Sequence, residues 1–217
     1  MKNILLLLGL LFGVPGVGQT PVQPKRFSSG VWGGAVFQSL NAALLVDPQN
    51  GRYITAERLG PGGSIGFAAQ WQLLPGLQLR PALGLGYSAN TIRFWSADGE
   101  VERRQYSFAD VLVPVHVVLS NSLQHLPVRA LILFGGQLSW NLIRAPDAAP
   151  LRLLPERLGL DIGLGAGFVA GKWSVQPEVL YSFGINNIHE FTNGAYDWAA
   201  GRLVRDQLCL RVLLSRR

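Results

Sequence analysis

The sequence predicts an all-β protein, an eight-stranded antiparallel up-and-down transmembrane β-barrel with long outer loops and short periplasmic turns. Three observations lead there. Only 15% of the 217 residues are charged while 48% are hydrophobic, whereas an ordinary soluble domain carries roughly 25% charge to cover its surface. The hydrophobicity is laid out in segments that alternate apolar and polar, the period of a strand with two unlike faces. Those segments run about 11 to 19 residues, beyond the ~5–6 of a globular strand and enough for the ~9–11 that a tilted strand needs to cross hydrocarbon.

The first residues set the compartment. Lys2 gives a positive start, Ile4 to Phe12 is apolar apart from Gly9, and Gly16-Val17-Gly18 places small residues before Gln19. This is the layout of a secretory signal peptide cleaved after Gly18. Its apolar run is about half the ~20 residues of a membrane-spanning helix. The expected organisation is a signal peptide over 1–18, a periplasmic extension over 19–28 and the barrel over 29–217, in the outer membrane of a Gram-negative bacterium. No later segment is apolar enough for a helical span, and in hydrocarbon only helices and closed barrels satisfy every backbone N–H and C=O.

The strands follow in order. The first, softened by glycines, is Ser29 to Asn41. In Ser64 to Leu74, the residues Ile65, Phe67, Ala69, Trp71 and Leu73 share one face, and Pro75-Gly76 then turns the chain. Leu77 to Trp95 sets Leu79, Leu83, Leu85 and Tyr87 against Gln78, Arg80, Gly84 and Gly86. Tyr106 to Ser120 sets Val111, Val113, Val115 and Val117 against Asp110, Pro114 and His116. Val128 to Ile143 sets Ile132, Phe134, Leu138 and Trp140 against Arg129, Gln137, Ser139 and Asn141. Leu158 to Ala170 opposes Leu160, Ile162 and Leu164 to Asp161 and several glycines. Trp173 to Ile185 opposes Val175, Val179 and Phe183 to Gln176, Glu178 and Ser182, and Leu203 to Leu214 opposes Leu208, Leu210 and Val212 to Arg205, Gln207, Cys209 and Arg211.

The connections alternate in length. Pro75-Gly76 and Gly171-Lys172 are tight and Asn121 to Pro127 is modest, all on one side. On the other side lie longer loops, Leu44 to Gly60, Ser96 to Arg104, Arg144 to Arg157 and Asn187 to Arg202. Short turns at one rim and long loops at the other are the pattern of an outer-membrane barrel, with both termini in the periplasm. Trp71, Tyr87, Trp95, Tyr106, Trp140 and Trp173 fall near strand ends, where a girdle of interfacial aromatics belongs.

Eight strands enclose only enough room for their own side chains. The inward positions offer Arg80, Asp110, His116, Arg129, Asp161, Glu178, Arg205 and Arg211, with Gln70, Gln137 and Gln176. Both signs are present, so the expected content is a packed polar network rather than a pore. The net charge is +6, but its carriers are scattered arginines with no basic helix, so nucleic acid is not an expected partner. A single cysteine, Cys209, excludes an intrachain disulfide and a cysteine-based zinc site. No metal or cofactor is expected, and no enzyme activity. Hydrolysis would need His116, His125 or His189-Glu190 beside a serine such as Ser182 or Ser96, but their spacing matches no nucleophile elbow or triad pattern. In the last outer loop, Phe191, Tyr196 and Trp198 form a candidate contact surface, or pack the loop itself.

Several segments resemble one family. Tyr106 to Leu119, aromatic then acidic then a β-branched run with Pro114, resembles a strand of the PorT-type outer-membrane β-barrel proteins. Ile162-Gly163-Leu164-Gly165-Ala166-Gly167-Phe168, followed by Val175-Gln176-Pro177-Glu178-Val179-Leu180-Tyr181 and Ser182-Phe183-Gly184-Ile185-Asn186-Asn187-Ile188, resembles that family's penultimate hairpin. Leu77-Gln78-Leu79-Arg80-Pro81-Ala82-Leu83 resembles its recurrent proline-containing strand. The resemblance spans most of the mature chain. It implies an eight-stranded barrel in the outer membrane of Bacteroidota, with founding members linked to type IX secretion. The carboxy terminus departs from the pattern, since Leu213-Leu214-Ser215-Arg216-Arg217 lacks the usual final aromatic. The expected partners are outer-membrane lipid, the barrel-assembly machinery and other envelope or secretion proteins. The expected function is that of a non-enzymatic barrel, an accessory of type IX secretion; the alternatives are a lipid-modifying enzyme and a soluble periplasmic barrel for a small apolar ligand.

Overall fold

The computed structural model describes residues 27–42, 51–56, 59–121, 128–143, 150–192 and 194–216. The expected signal peptide and His125 lie outside the described residues. The strands are β1 (Phe27–Ala42), β2 (Tyr53–Ala56), β3 (Gly60–Leu74), β4 (Leu77–Ser96), β5 (Gly99–Ser120), β6 (Val128–Asn141), β7 (Arg152–Leu153), β8 (Glu156–Ala170), β9 (Trp173–Gly184), β10 (His189–Glu190) and β11 (Leu203–Arg216). One short helix, α1 (Asp197–Ala200), precedes β11.

Eight long strands close a ring. Each of β3, β4, β5, β6, β8, β9 and β11 pairs antiparallel with the next, and β1 joins the ends by pairing with both β3 and β11. Closure leaves the ring no unpaired edge. The tight turns after β3 and β8 place Gly76 and Gly171 at φ 81° and 60°, a backbone that glycine adopts without a Cβ penalty.

The two faces of the ring differ as a membrane barrel requires. Ile65, Phe67, Leu83, Leu85, Leu160, Ile162 and Leu164 are each more than half exposed on the outer wall. Water-soluble proteins keep such side chains inside. From Leu77 to Tyr87 on β4 the apolar belt is about 25 Å tall at the usual rise and tilt, which matches a hydrocarbon layer crossed by tilted strands.

Glycine on the inner face makes room for large neighbours. A Cβ at Gly84 would stand 2.6 Å from the Trp32 ring, and one at Gly66 would stand 2.8 Å from it. Trp32 therefore fills a slot that two glycines cut into β3 and β4, beside Ala68, Leu112 and Leu213. A second apolar layer joins Val118, Leu131, Leu133 and Leu180.

Several boundaries differ from the sequence expectation. Ser96 to Arg104 is not an open loop. The β4 and β5 strands continue as a hairpin to a turn at Ala97-Asp98, and β2 adds a third strand beside β4. There the hairpin has left the apolar belt, and on its β5 arm no residue from Val101 to Gln105 is buried, so nothing imposes the alternation by which that strand is read. β1 begins at Phe27 and β3 at Gly60, both ahead of the expected starts, while β11 runs on to Arg216.

Candidate functional site: the filled lumen and its cap

The lumen charges form two clusters. In one, Glu178 accepts from Arg80 Nη1 and, through its second oxygen, from Arg211 Nε at 2.7 Å. Arg80 Nη2 donates to Gln176 Oε1 at 2.7 Å, and Gln176 Nε2 donates to Ser174 Oγ at 3.1 Å and Gln70 Oε1 at 3.4 Å. His116 Nε2 lies 2.8 Å from Asp161 Oδ2, and its Nδ1 lies 3.5 Å from Arg211 Nη2. A guanidinium can only donate, so Nδ1 is the acceptor and the Nε2 hydrogen goes to Asp161. Arg211 also stands 5.4 Å over the Trp32 ring.

The second cluster lies nearer the loop rim. Arg205 Nη2 donates to Asp110 Oδ2 at 2.9 Å and Ser139 Oγ at 3.1 Å, with its guanidinium 4.7 Å over Phe108. Arg157 donates from Nε to Arg205 O at 2.6 Å and from Nη2 to Ser182 O and Oγ at 3.1 and 2.8 Å. Gln137 Nε2 bonds Gln207 Oε1 at 3.3 Å.

Two lumen assignments change. Arg129 has the inward parity but is exposed, because it sits at the turn rim beyond the packed layers. Arg157, at the end of the loop expected over Arg144 to Arg157, is one of the most deeply buried side chains. Its parity with Gly159 and Asp161 was the signal for it.

Above these clusters the loops form a cap. Leu40, Ile54, Ile92, Phe94, Tyr106, Phe108, Leu151, Ile188, Tyr196 and Leu203 pack as one apolar core across the mouth. The β7 and β10 pair, His189 opposite Leu153, ties two loops together. Asp197, at the start of α1, gathers the cap loop. It accepts from Thr192 N and Gly194 N, each at 2.7 Å, and from Thr192 Oγ1 at 3.3 Å, and stands 3.0 Å from His189 Nε2. Burial acts to raise the Asp197 carboxyl, but the His189 bond and the two amides outweigh it and hold it below its ordinary value.

The cap corrects three assignments. Tyr106 is not an interfacial aromatic: its even parity, shared with Asp110, turns it into the cap core, where it is 5% exposed. Tyr196 is buried edge to face against Phe94 at 4.9 Å, with the Arg52 guanidinium 5.6 Å from its ring centroid, so it offers no contact surface. His189 pairs with Asp197 and not with Glu190, which is exposed, while Ser182 is held by Arg157. Phe191 and Trp198 do reach the surface, 52% and 70% exposed, edge to face at 5.6 Å. Trp95 stacks on Tyr53 in the raised hairpin and donates to Thr55 Oγ1 at 2.9 Å. Trp71, Tyr87, Trp140 and Trp173 are exposed on the outer wall. Among the described residues, no group of three or more His, Cys, Asp or Glu is placed to hold a metal.

The chain matches no family model and no curated protein sequence. It is similar to the solved structure of Neisserial surface protein A, with 11% identity over 88% of this chain and 99% of that one and a TM-score of 0.49. Ail, the attachment invasion locus protein of Yersinia pestis, gives 7% identity over 88% and 99% and a TM-score of 0.41. The transport unit of the Escherichia coli autotransporter AIDA-I gives 9% identity over 100% and 96% and a TM-score of 0.33.

Proposed function

We propose that this chain is a non-enzymatic integral outer-membrane β-barrel that works by contact through its loop-end cap. The observation that carries the reading is the apolar outer wall around a ring whose interior is filled by arginine–carboxylate clusters and a capped mouth. A filled eight-stranded barrel offers no solute path. What it presents to the outside is the cap, where Asp197 fixes the loop that displays Phe191 and Trp198. Rigid exposed aromatics are favoured anchors at protein contacts, since little side-chain freedom is lost on docking.

In this reading the turn rim faces the periplasm and the cap faces outward, after export by the amino-terminal signal. The strand motifs described above support a PorT-type role as an accessory of type IX secretion. Membrane fractionation tests the location: the mature chain is expected to need detergent for extraction, and release by salt or carbonate alone would refute it. Deleting the gene and measuring export of proteins with the type IX carboxy-terminal signal tests the accessory role, and unchanged export would remove it.

A further inference from the structure

The outer wall is uneven near the turn rim. A groove of about 670 Å³ crosses β11, β1, β3 and β4 there, lined by Leu214, Val31, Phe67 and Leu83 on one side and reaching Trp173 and Arg216 at the rim. The pairing registers explain it. Val31 lies opposite both Leu214 and Phe67, and Phe67 lies opposite Leu83, which makes a continuous raised row. Next to it Ser29 lies opposite Ala69, and Pro81 follows on β4, which makes a low row. Beyond that, Phe27 and Trp71 rise again, edge to face at 6.1 Å.

The groove climbs from the rim. It opens at Arg216, at the end of β11, paired with Trp173 at the start of β9. On β4 it has reached Pro81, four residues in from Leu77. At about 3.3 Å per residue and a tilt near 40°, that is a rise of roughly 10 Å into the hydrocarbon. Arg216 is exposed at the low end, and no carboxylate among the described residues pairs with it.

We propose that this groove holds one phospholipid of the periplasmic leaflet, its phosphate on the Arg216 guanidinium and one acyl chain lying along the low row. The site rests on the membrane reading given above. A guanidinium at headgroup depth matches a phosphate in charge and in its paired donors. The climb stays within the ~15 Å depth of one leaflet's hydrocarbon. A second barrel docked here in the same orientation would bury Arg216 against the turn-rim half of a wall that, among the described residues, supplies no carboxylate, whereas a lipid brings its anion with it.

The test is native mass spectrometry of the mature chain folded in detergent micelles with added phosphatidylglycerol. Folding is followed separately by the slower electrophoretic mobility that an intact barrel acquires on boiling. Ala69→Trp fills the low row from the outside, Arg216→Gln removes the cation, and Leu138→Trp alters a remote part of the wall. The expected result is one retained phosphatidylglycerol in the wild type and in Leu138→Trp. Retention should fall about tenfold in Ala69→Trp, the equivalent of roughly 1.4 kcal/mol, and several-fold in Arg216→Gln. A wild type that is folded yet retains no more lipid than Ala69→Trp overturns the site. So does a two-barrel mass that Ala69→Trp abolishes. A wild type that stays in solution without detergent overturns the membrane reading itself.

Discussion

Glu178 gives one oxygen to Arg80 and the other to Arg211, and its side chain is wholly out of solvent. Removing it leaves two guanidiniums buried without a counter-charge, which costs more than the pair itself contributes. Glu178→Ala is expected to lose about 3–5 kcal/mol of barrel stability, read as the urea midpoint of tryptophan fluorescence in micelles. An unshifted midpoint would mean that the arginines find other partners. Asp197 acts differently, on the cap alone. Its folded carboxyl is held below the ordinary 3.8, so its contribution is complete above that value and is lost as pH falls through the lowered one. The cap loop is therefore expected to resist protease from neutral pH down to about pH 4 and to become cleavable below it with an acid-active protease. Asp197→Asn should be cleaved faster near neutral pH, because the amide accepts less strongly from Thr192 and Gly194, and the difference from the wild type should close once the wild-type carboxyl is protonated.

Strand packing depends on where the inner glycines lie. Gly84→Ala drives a Cβ into the Trp32 ring and the Ile65 carbonyl, each 2.6 Å away. An overpacked core of this kind costs about 1–3 kcal/mol, and the folded-band fraction after refolding is expected to drop accordingly. Gly63→Ala meets only the Gly34 carbonyl at 3.6 Å, so it should fold as the wild type does. The same elements show what the sequence could reveal. Alternation located seven of the eight ring strands, because lipid on one face and a packed lumen on the other impose a period of two, while glycines blur it in the first. It missed the start of β5, since Val101 to Gln105 rise beyond the apolar belt and have no such constraint. Tyr106 looked like a girdle residue by its place along the strand, although its parity turned it inward. The Asp197 clamp and the β7–β10 pair join residues whose meeting depends on how loops fold, and no local pattern announces it.

Across the ring, the outer wall is apolar and the arginine–carboxylate clusters lie within. That inversion is favourable only if hydrocarbon surrounds the ring. Two apolar layers, two charge clusters and the cap lie in series along the lumen. Purified barrel added to planar lipid bilayers is expected to give no steady ion conductance, and stable open-channel steps would contradict a filled lumen. The wall itself can be read directly by spin labelling. In a Cys209→Ser background, single nitroxides along β8 in liposomes would be compared for access to oxygen and to a water-soluble nickel chelate. At Leu160, Ile162 and Leu164 oxygen access should be high and nickel access low, while a label at Asp161 should be shielded from both. High nickel access at the even positions would show the outer wall facing water and would contradict a membrane-spanning barrel.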